Sequence, residues 1–142
     1  MSADARVQIA IVILEDERRR VALQLRSDIE GIVNPGRWGL FGGHVEADEE
    51  PAAAALREVQ EELSCTLEPA RLRHFKREAR NELDYHLFHY PVTDELEKAE
   101  LTEGQRFGLF SPELIRAGVI EKHEVVDYHL RWLMQFWEQN GS

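Results

Sequence analysis

An α/β fold with a mixed sheet sandwiched between helices is the architecture this sequence predicts, and three observations predict it. The chain opens with the β-branched run VQIAIVIL (7–14) followed closely by the alternating VALQLR (21–26). Its pattern turns helical near Pro51. After further strand-like segments it closes on two helical ones. With 142 residues, 43% of them apolar, one domain spanning 1–142 is expected. Such a domain buries roughly two-thirds of its unfolded surface.

Each element follows from local pattern. EDERRR separates the first two runs as a charged turn, which predicts a hairpin of 7–14 with 21–26. Gly and Pro punctuate DIEGIVNPGRWGLFGGHVE, so a loop leading into a short strand around Trp38–Phe41 is expected. From Glu50 to Leu63 the period is helical, and Pro51 suits the first turn, where its missing N–H has no partner to lose. Ala52, Leu56, Val59 and Leu63 are expected on its core face. HFKREA and LDYHLFHYPV, separated by Arg80–Asn81–Glu82, predict a second hairpin, and RFGLF (106–110) a further strand. Ser111 is placed to cap a short helix with Pro112 at its first position and Gly118 at its close. The segment EKHEVVDYHLRWLMQFWEQ predicts a long final helix covering a sheet face with Val126, Leu130, Leu133, Met134 and Trp137.

A formal charge of −10 repels polyanions, which argues against DNA or RNA polymers as partners. A small anionic substrate is compatible if cations screen it. No stretch reaches the roughly 18 apolar residues of a membrane span, so a cytoplasmic protein is expected. The single cysteine, Cys65, precludes an internal disulfide and is expected to be a small buried apolar residue.

Seven of the twenty-four residues in GGHVEADEEPAAAALREVQEELSC (42–65) are Asp or Glu. On a helix, Glu58, Glu61 and Glu62 fall at i, i+3 and i+4 within one arc, where like charges repel by a few tenths of a kcal/mol. Two readings stand: a solvated acidic face, or a site for a hard divalent cation such as Mg²⁺ or Mn²⁺, which takes carboxylate oxygens, waters and substrate phosphates. Gly42 and Gly43 ahead of the helix favour the second, because backbone without side chains approaches a ligand closely. Arg57 offers five donors that can orient the neighbouring acids.

This stretch resembles the Nudix box. Gly43, Glu49, Arg57, Glu58, Val59, Glu61 and Glu62 fall in register with it over 23 residues, and Cys65 takes the closing aliphatic place. Ser64 stands where that pattern has Gly, which puts helix termination at issue before activity. The resemblance implies a Nudix α/β/α sandwich over nearly the whole chain. It also implies Mg²⁺-dependent hydrolysis of a nucleoside diphosphate linked to another moiety, with Mn²⁺ as a substitute ion. In it, Glu58, Glu61 and Glu62 bind metal and the Gly42 carbonyl joins them. Arg57 orients the carboxylates, with Glu49 supporting it. RWGLFGG is similar to the subgroup that cleans oxidised purine nucleotides. A nucleoside triphosphate or an oxidised purine nucleotide is therefore the leading substrate class, with nucleotide sugars and dinucleotides next. A catalytically silent nucleotide sensor is the alternative of another class, although every box carboxylate is present. An isomerase of isoprenoid diphosphates is disfavoured by the placement of Cys65. Homodimers are common among relatives, but no interface is legible here.

A diphosphate repels its nucleophile, so metal-held water attacking phosphorus in line, with a Glu taking the proton, is the expected chemistry. By the resemblance, the candidate bases are Glu58 and an acid in a later loop; Glu103 or Glu100 in KAELTEGQ lies in a suitable region, and either is otherwise a solvated loop residue. Arg26 and Arg37 are candidate phosphate grips and His44 a candidate phosphate contact. Trp38 and Phe41 either stack on a base or belong to the core. His86 and His89, three apart on a strand, face opposite ways and do not form a joint metal site.

Overall fold

The structure, a computed structural model, describes residues 6–29, 31–100 and 106–140. Val7–Glu15 forms β1, Val21–Leu25 β2, Trp38–Gly39 β3 and Phe41–His44 β4. Helix α1 spans Pro51–Leu63, and a 3₁₀ turn occupies Pro69–Arg71. Strands β5 (Arg73–Arg80), β6 (Leu83–Pro91) and β7 (Arg106–Phe110) follow, then α2 (Pro112–Arg116). The pair β8 (Val119–Ile120) and β9 (His123–Glu124) leads into α3, Asp127–Gln139.

The sheet is mixed, as expected. β1 runs parallel to β6 from Val7 beside Leu83 to Glu15 beside Pro91. On its other side Ile9–Val12 pairs antiparallel with β4. The path is β3-β2-β1-β6-β5, with β7 beside β2. The hairpin of β5 and β6 forms as predicted around Asn81, whose φ of 57° suits a tight turn. The first hairpin is corrected: β1 and β2 pair only at Glu15 and Val21. Beyond that point β4 takes the edge of β1, while β2 turns to β3 and β7. The sheet splays between β1 and β2.

Side chains alternate across β1 and divide the core. Ile9, Ile11 and Ile13 face α2 and α3, where Trp132, Leu133, Phe136 and Trp137 pack. Ala10, Val12 and Leu14 face α1. One helix therefore covers one face and two cover the other. Among the described residues no helix is long and apolar enough to cross a membrane.

Three details depart from the sequence reading. The buried residues of α1 are Ala54, Ala55, Val59, Glu62 and Leu63, whereas Ala52 is exposed and Leu56 only half-buried. The helix is rolled so that Glu62 turns inward, where polar partners await it. α3 begins only at Asp127, because Glu121 and Lys122, both at positive φ, turn the preceding residues into the β8–β9 hairpin. Its buried face is Tyr128, His129, Trp132, Leu133, Phe136 and Trp137, and Met134 is 49% exposed. Ser111 does cap α2, its Oγ accepting from the Leu114 N–H at 3.3 Å.

Candidate active site

The two glycines of β4 are required by close approach. A Cβ on Gly42 would lie 2.0 Å from the Ala10 carbonyl oxygen of β1. One on Gly43 would lie 2.4 Å from the Glu58 carboxylate carbon. Strand and helix are thus packed backbone against carboxylate, and the Gly42 N–H donates to Glu62 Oε1 at 3.1 Å.

Arg57 organises the acids around it. Its Nε donates to Glu49 Oε2 at 2.8 Å and its Nη2 to Glu49 Oε1 at 2.9 Å, a two-pronged pair. Nη1 donates to Glu58 at 2.8 Å and to Glu61 at 3.1 Å. Nη2 also reaches the His44 carbonyl at 2.9 Å, which ties α1 to the end of β4. The Arg57 hydrogen bonds, aided by the Glu46 N–H, hold the Glu49 carboxyl down from 4.5 to about 2. Glu49 in turn raises the guanidinium further above its already high value.

The three helix acids do not share one environment. Glu62 is 6% exposed, Glu58 is half-buried and the Glu61 side chain is 58% exposed. Among the described residues no three His, Cys, Asp or Glu side chains converge as a ready-made metal cluster. Arg57 draws Glu58 and Glu61 toward itself, and Glu62 is held in the seam by Gly42 and, at 3.4 Å, by Gln24 Nε2. Glu58 and Glu62 do stand together in the wall of one cavity with Gly42 and Gly43. Two carboxylates beside backbone carbonyls are hard oxygen donors. They suit Mg²⁺, which is bound by one or two carboxylates plus waters and substrate phosphates rather than by a complete protein cage.

That cavity, of about 430 Å³, is lined by residues from both faces of the sheet. Its lining joins the acids Glu58 and Glu62 and His44 to the apolar and aromatic Ile9, Ile11, Leu83, Tyr85 and Tyr128, together with Arg26, Asn34 and His129. Arg26 Nε donates to the Val33 carbonyl at 2.7 Å, which braces the loop after β2. Asn34 Nδ2 donates to Tyr128 Oη at 2.8 Å and fastens that loop to α3. His129 Nδ1 accepts from the Leu40 N–H at 3.1 Å. Burial, with Arg26 and Arg80 nearby, pushes His129 down to about 3, so the ring is neutral at ordinary pH.

Of the residues singled out from sequence, Gly42, Glu58, Glu62, Arg26 and His44 line the cavity, and Arg57 is joined to its wall through Glu58. Glu61 stands outside, on the exposed side of Arg57. Trp38 and Phe41 are core residues: Trp38 is 1% exposed, donates from Nε1 to the Ile120 carbonyl and meets Phe110 edge-on, while Phe41 packs under α1 against Phe107. Neither offers a free face to a base. Arg37 points to Glu124 at 3.7 Å instead of the cavity. Glu103 lies outside the described residues, and the Glu100 N–H is spent on the Leu63 carbonyl at the end of α1. Cys65 is buried, and burial pushes its thiol up to about 11, which leaves it inert. His86 and His89 face opposite sides of the sheet, bonded to Gln8 and Glu15.

Gln24, Asn34, Tyr128 and His129 escaped the sequence reading. Gln24 carried a faint signal, as an amide inside an otherwise apolar strand. His129 carried none, since a histidine one residue from an aromatic stripe fits packing equally well.

Residues 5–133 match the NUDIX domain family. No curated protein matches the chain in sequence at a significant level. Among solved structures, the chain resembles MutT from Aliivibrio salmonicida and Vibrio cholerae with a TM-score of 0.76 at 21% identity, covering 94% of this chain and 98% of that one. MutT protein from Methanosarcina mazei Go1 superimposes with a TM-score of 0.75 at 21% identity, over 99% of this chain and 100% of that one. A mutT/nudix family protein from Listeria innocua gives 0.77 at 20% identity, over 99% and 96%. At these identities the likeness is one of fold.

Proposed function

The chain belongs to the Nudix family of pyrophosphohydrolases, and from that premise we propose that it hydrolyses a nucleoside triphosphate or an oxidised purine nucleotide in a Mg²⁺-dependent reaction, with residues 1–142 as one catalytic domain. The observation that carries this reading is a single cavity whose wall combines carboxylates with apolar and aromatic side chains. A nucleotide combines a phosphate chain that takes cations with a flat base.

Glu58, Glu62 and the Gly42 carbonyl, with Glu61 from the exposed side of the helix, would hold a divalent cation, which would supply neutralisation of phosphate oxygens and a lowered pKa of water. The chain's own residues do the rest. Gly42 and Gly43 bring backbone close to the diphosphate without side chains in the way. Arg57 fixes the Glu58 carboxylate, which stands in the cavity wall and accepts the proton of the attacking water. Glu49 takes both prongs of Arg57 and keeps that guanidinium from swinging onto the substrate. Arg26 and His44, also in the wall, supply positive charge or hydrogen bonds to outer phosphate oxygens. The apolar and aromatic part of the lining takes the base, with Tyr85 and Tyr128 as stacking candidates and Trp38 and Phe41 in the core.

The test is a panel of nucleoside triphosphates, oxidised purine nucleotides, nucleotide sugars and dinucleotides, each with Mg²⁺ and with chelator, scored for phosphate or pyrophosphate release. Turnover of nucleoside triphosphates or their oxidised forms that chelator abolishes is expected. Release from nucleotide sugars or dinucleotides alone would replace the substrate class, and no turnover at all would favour a silent sensor.

A further inference from the structure

We infer that His129 selects the moiety carried on the diphosphate: its Nε2–H is a fixed hydrogen-bond donor in the cavity and favours a nucleobase that presents an acceptor, a ring carbonyl oxygen or an unprotonated ring nitrogen, at that wall. The inference rests on the nucleotide reading above.

His129 is 5% exposed, and what remains open contributes to the cavity lining. Its Nδ1 accepts from the Leu40 N–H. An accepting nitrogen carries no proton, so in the neutral ring the proton sits on Nε2. Burial and the positive charges of Arg26 and Arg80 keep the ring neutral, so this tautomer is the working form. Nε2 has no hydrogen-bond partner among the described residues.

The ring is also held in place. It stacks on Trp132 at 5.3 Å and 19°, and Tyr128 meets it edge-on at 4.7 Å. Gly39 makes room for it, since a Cβ there would come within 3.2 Å of Nδ1. Purely structural service to Leu40 needs only Nδ1. A buried donor that gains a partner when one ligand binds, and is left bare by another, discriminates between the two. Ile9, Ile11 and Leu83, which line the same cavity, offer no side-chain acceptor.

The experiment uses the full chain with ¹⁵N-labelled histidine and Mg²⁺, titrated with α,β-methylene analogues of GTP, 7-deaza-GTP, ATP and UTP, whose bridging carbon resists cleavage. A single Nε2-bound proton is expected for His129 from pH 5 to 9, and a proton on Nδ1 overturns the inference. At least one nucleotide is expected to move the Nε2–H resonance downfield, and its counterpart lacking that acceptor is expected not to. In parallel, His129→Asn keeps an oxygen near the Nδ1 position for Leu40, while its shorter amide leaves no N–H at the Nε2 position. With its melting temperature near that of the wild type, it is expected to shrink a preference of at least tenfold in kcat/KM among the four triphosphates to about threefold or less. A preference left intact in His129→Asn overturns the inference. Turnover by the wild type with no nucleotide moving Nε2–H overturns it too and leaves the proposed function standing. A moving resonance without turnover keeps the inference and removes the function, and neither signal removes both.

Discussion

Helices α1 and α3 are each thirteen residues long and lie on opposite faces of the same sheet, yet they stabilise the protein differently. α1 packs through small residues, Ala54, Ala55 and Val59, together with Leu63, and carries four charged residues, Arg57, Glu58, Glu61 and Glu62. α3 packs through Tyr128, Trp132, Phe136 and Trp137, and brings one buried neutral histidine to the cavity. The difference teaches that chemistry and cohesion are largely separated. Small side chains on α1 let the backbone of β4 and the carboxylates come together, and the aromatic mass on α3 supplies the buried area that holds the molecule closed.

The sharpest way to break that division is Glu58→Gln, an isosteric change that removes one charge. Turnover is expected to fall about 1,000-fold with an unchanged denaturation midpoint, and Glu61→Gln, on the exposed side, is expected to lose less. Equal losses at both positions would contradict the unequal burial of the two acids. Trp137→Ala on the opposite face is expected to show the reverse pattern. It should cost about 3–5 kcal/mol in urea unfolding, while the folded fraction retains its kcat. Gly43→Ala probes the junction itself, because the added methyl collides with Glu58. Activity is expected to drop about 100-fold, the order seen when a preorganised catalytic group is displaced. A normal rate in Gly43→Ala would show that Glu58 can retreat without consequence.

A smaller effect concerns acid. Glu49 is held down to about 2 by Arg57, so the pair's contribution is complete above the ordinary value of 4.5 and is lost as pH falls through about 2. Between these limits the wild-type melting temperature should fall more steeply than that of Arg57→Met, in which Glu49 titrates near its ordinary value. Parallel curves for the two proteins would remove Arg57 as the cause. The mildest change is Ser64→Gly. Ser64 ends α1 at φ 53°, ψ 39°, the left-handed conformation, with its N–H on the Gln60 carbonyl. Glycine there is expected to add about 1 kcal/mol without altering kcat, as thermal melts and rate assays would show.

The acidic part of the site was legible because its residues conflict with ordinary folding. Three acids at helical spacing, an arginine among them and two adjacent glycines make poor sense without a cation and a close approach. Their separate fates were not legible. Whether Glu61 or Glu62 turns inward depends on the roll of α1, and that is decided by Gly42 and Gln24, residues 20 and 38 positions away from Glu62. The strands were legible from their alternation, but the partner of β1 was not, since a nearby strand and a distant one offer the same pattern. Trp38 and Phe41 illustrate the same limit. Aromatic character announces burial or stacking equally, and only the opposed faces of β3 and β4 settle which.

The long parallel union of Val7–Glu15 with Leu83–Pro91 bears on how the molecule comes into being. Ile9 and Ile11 wait for Leu83 and Tyr85 to complete the floor of the cavity. A chain emerging from the ribosome therefore carries its acidic helix well before it has a floor on which a base can rest. Closing a loop of that length is slow compared with forming a helix, so during biosynthesis the catalytic apparatus matures late, after its charged half has already been made.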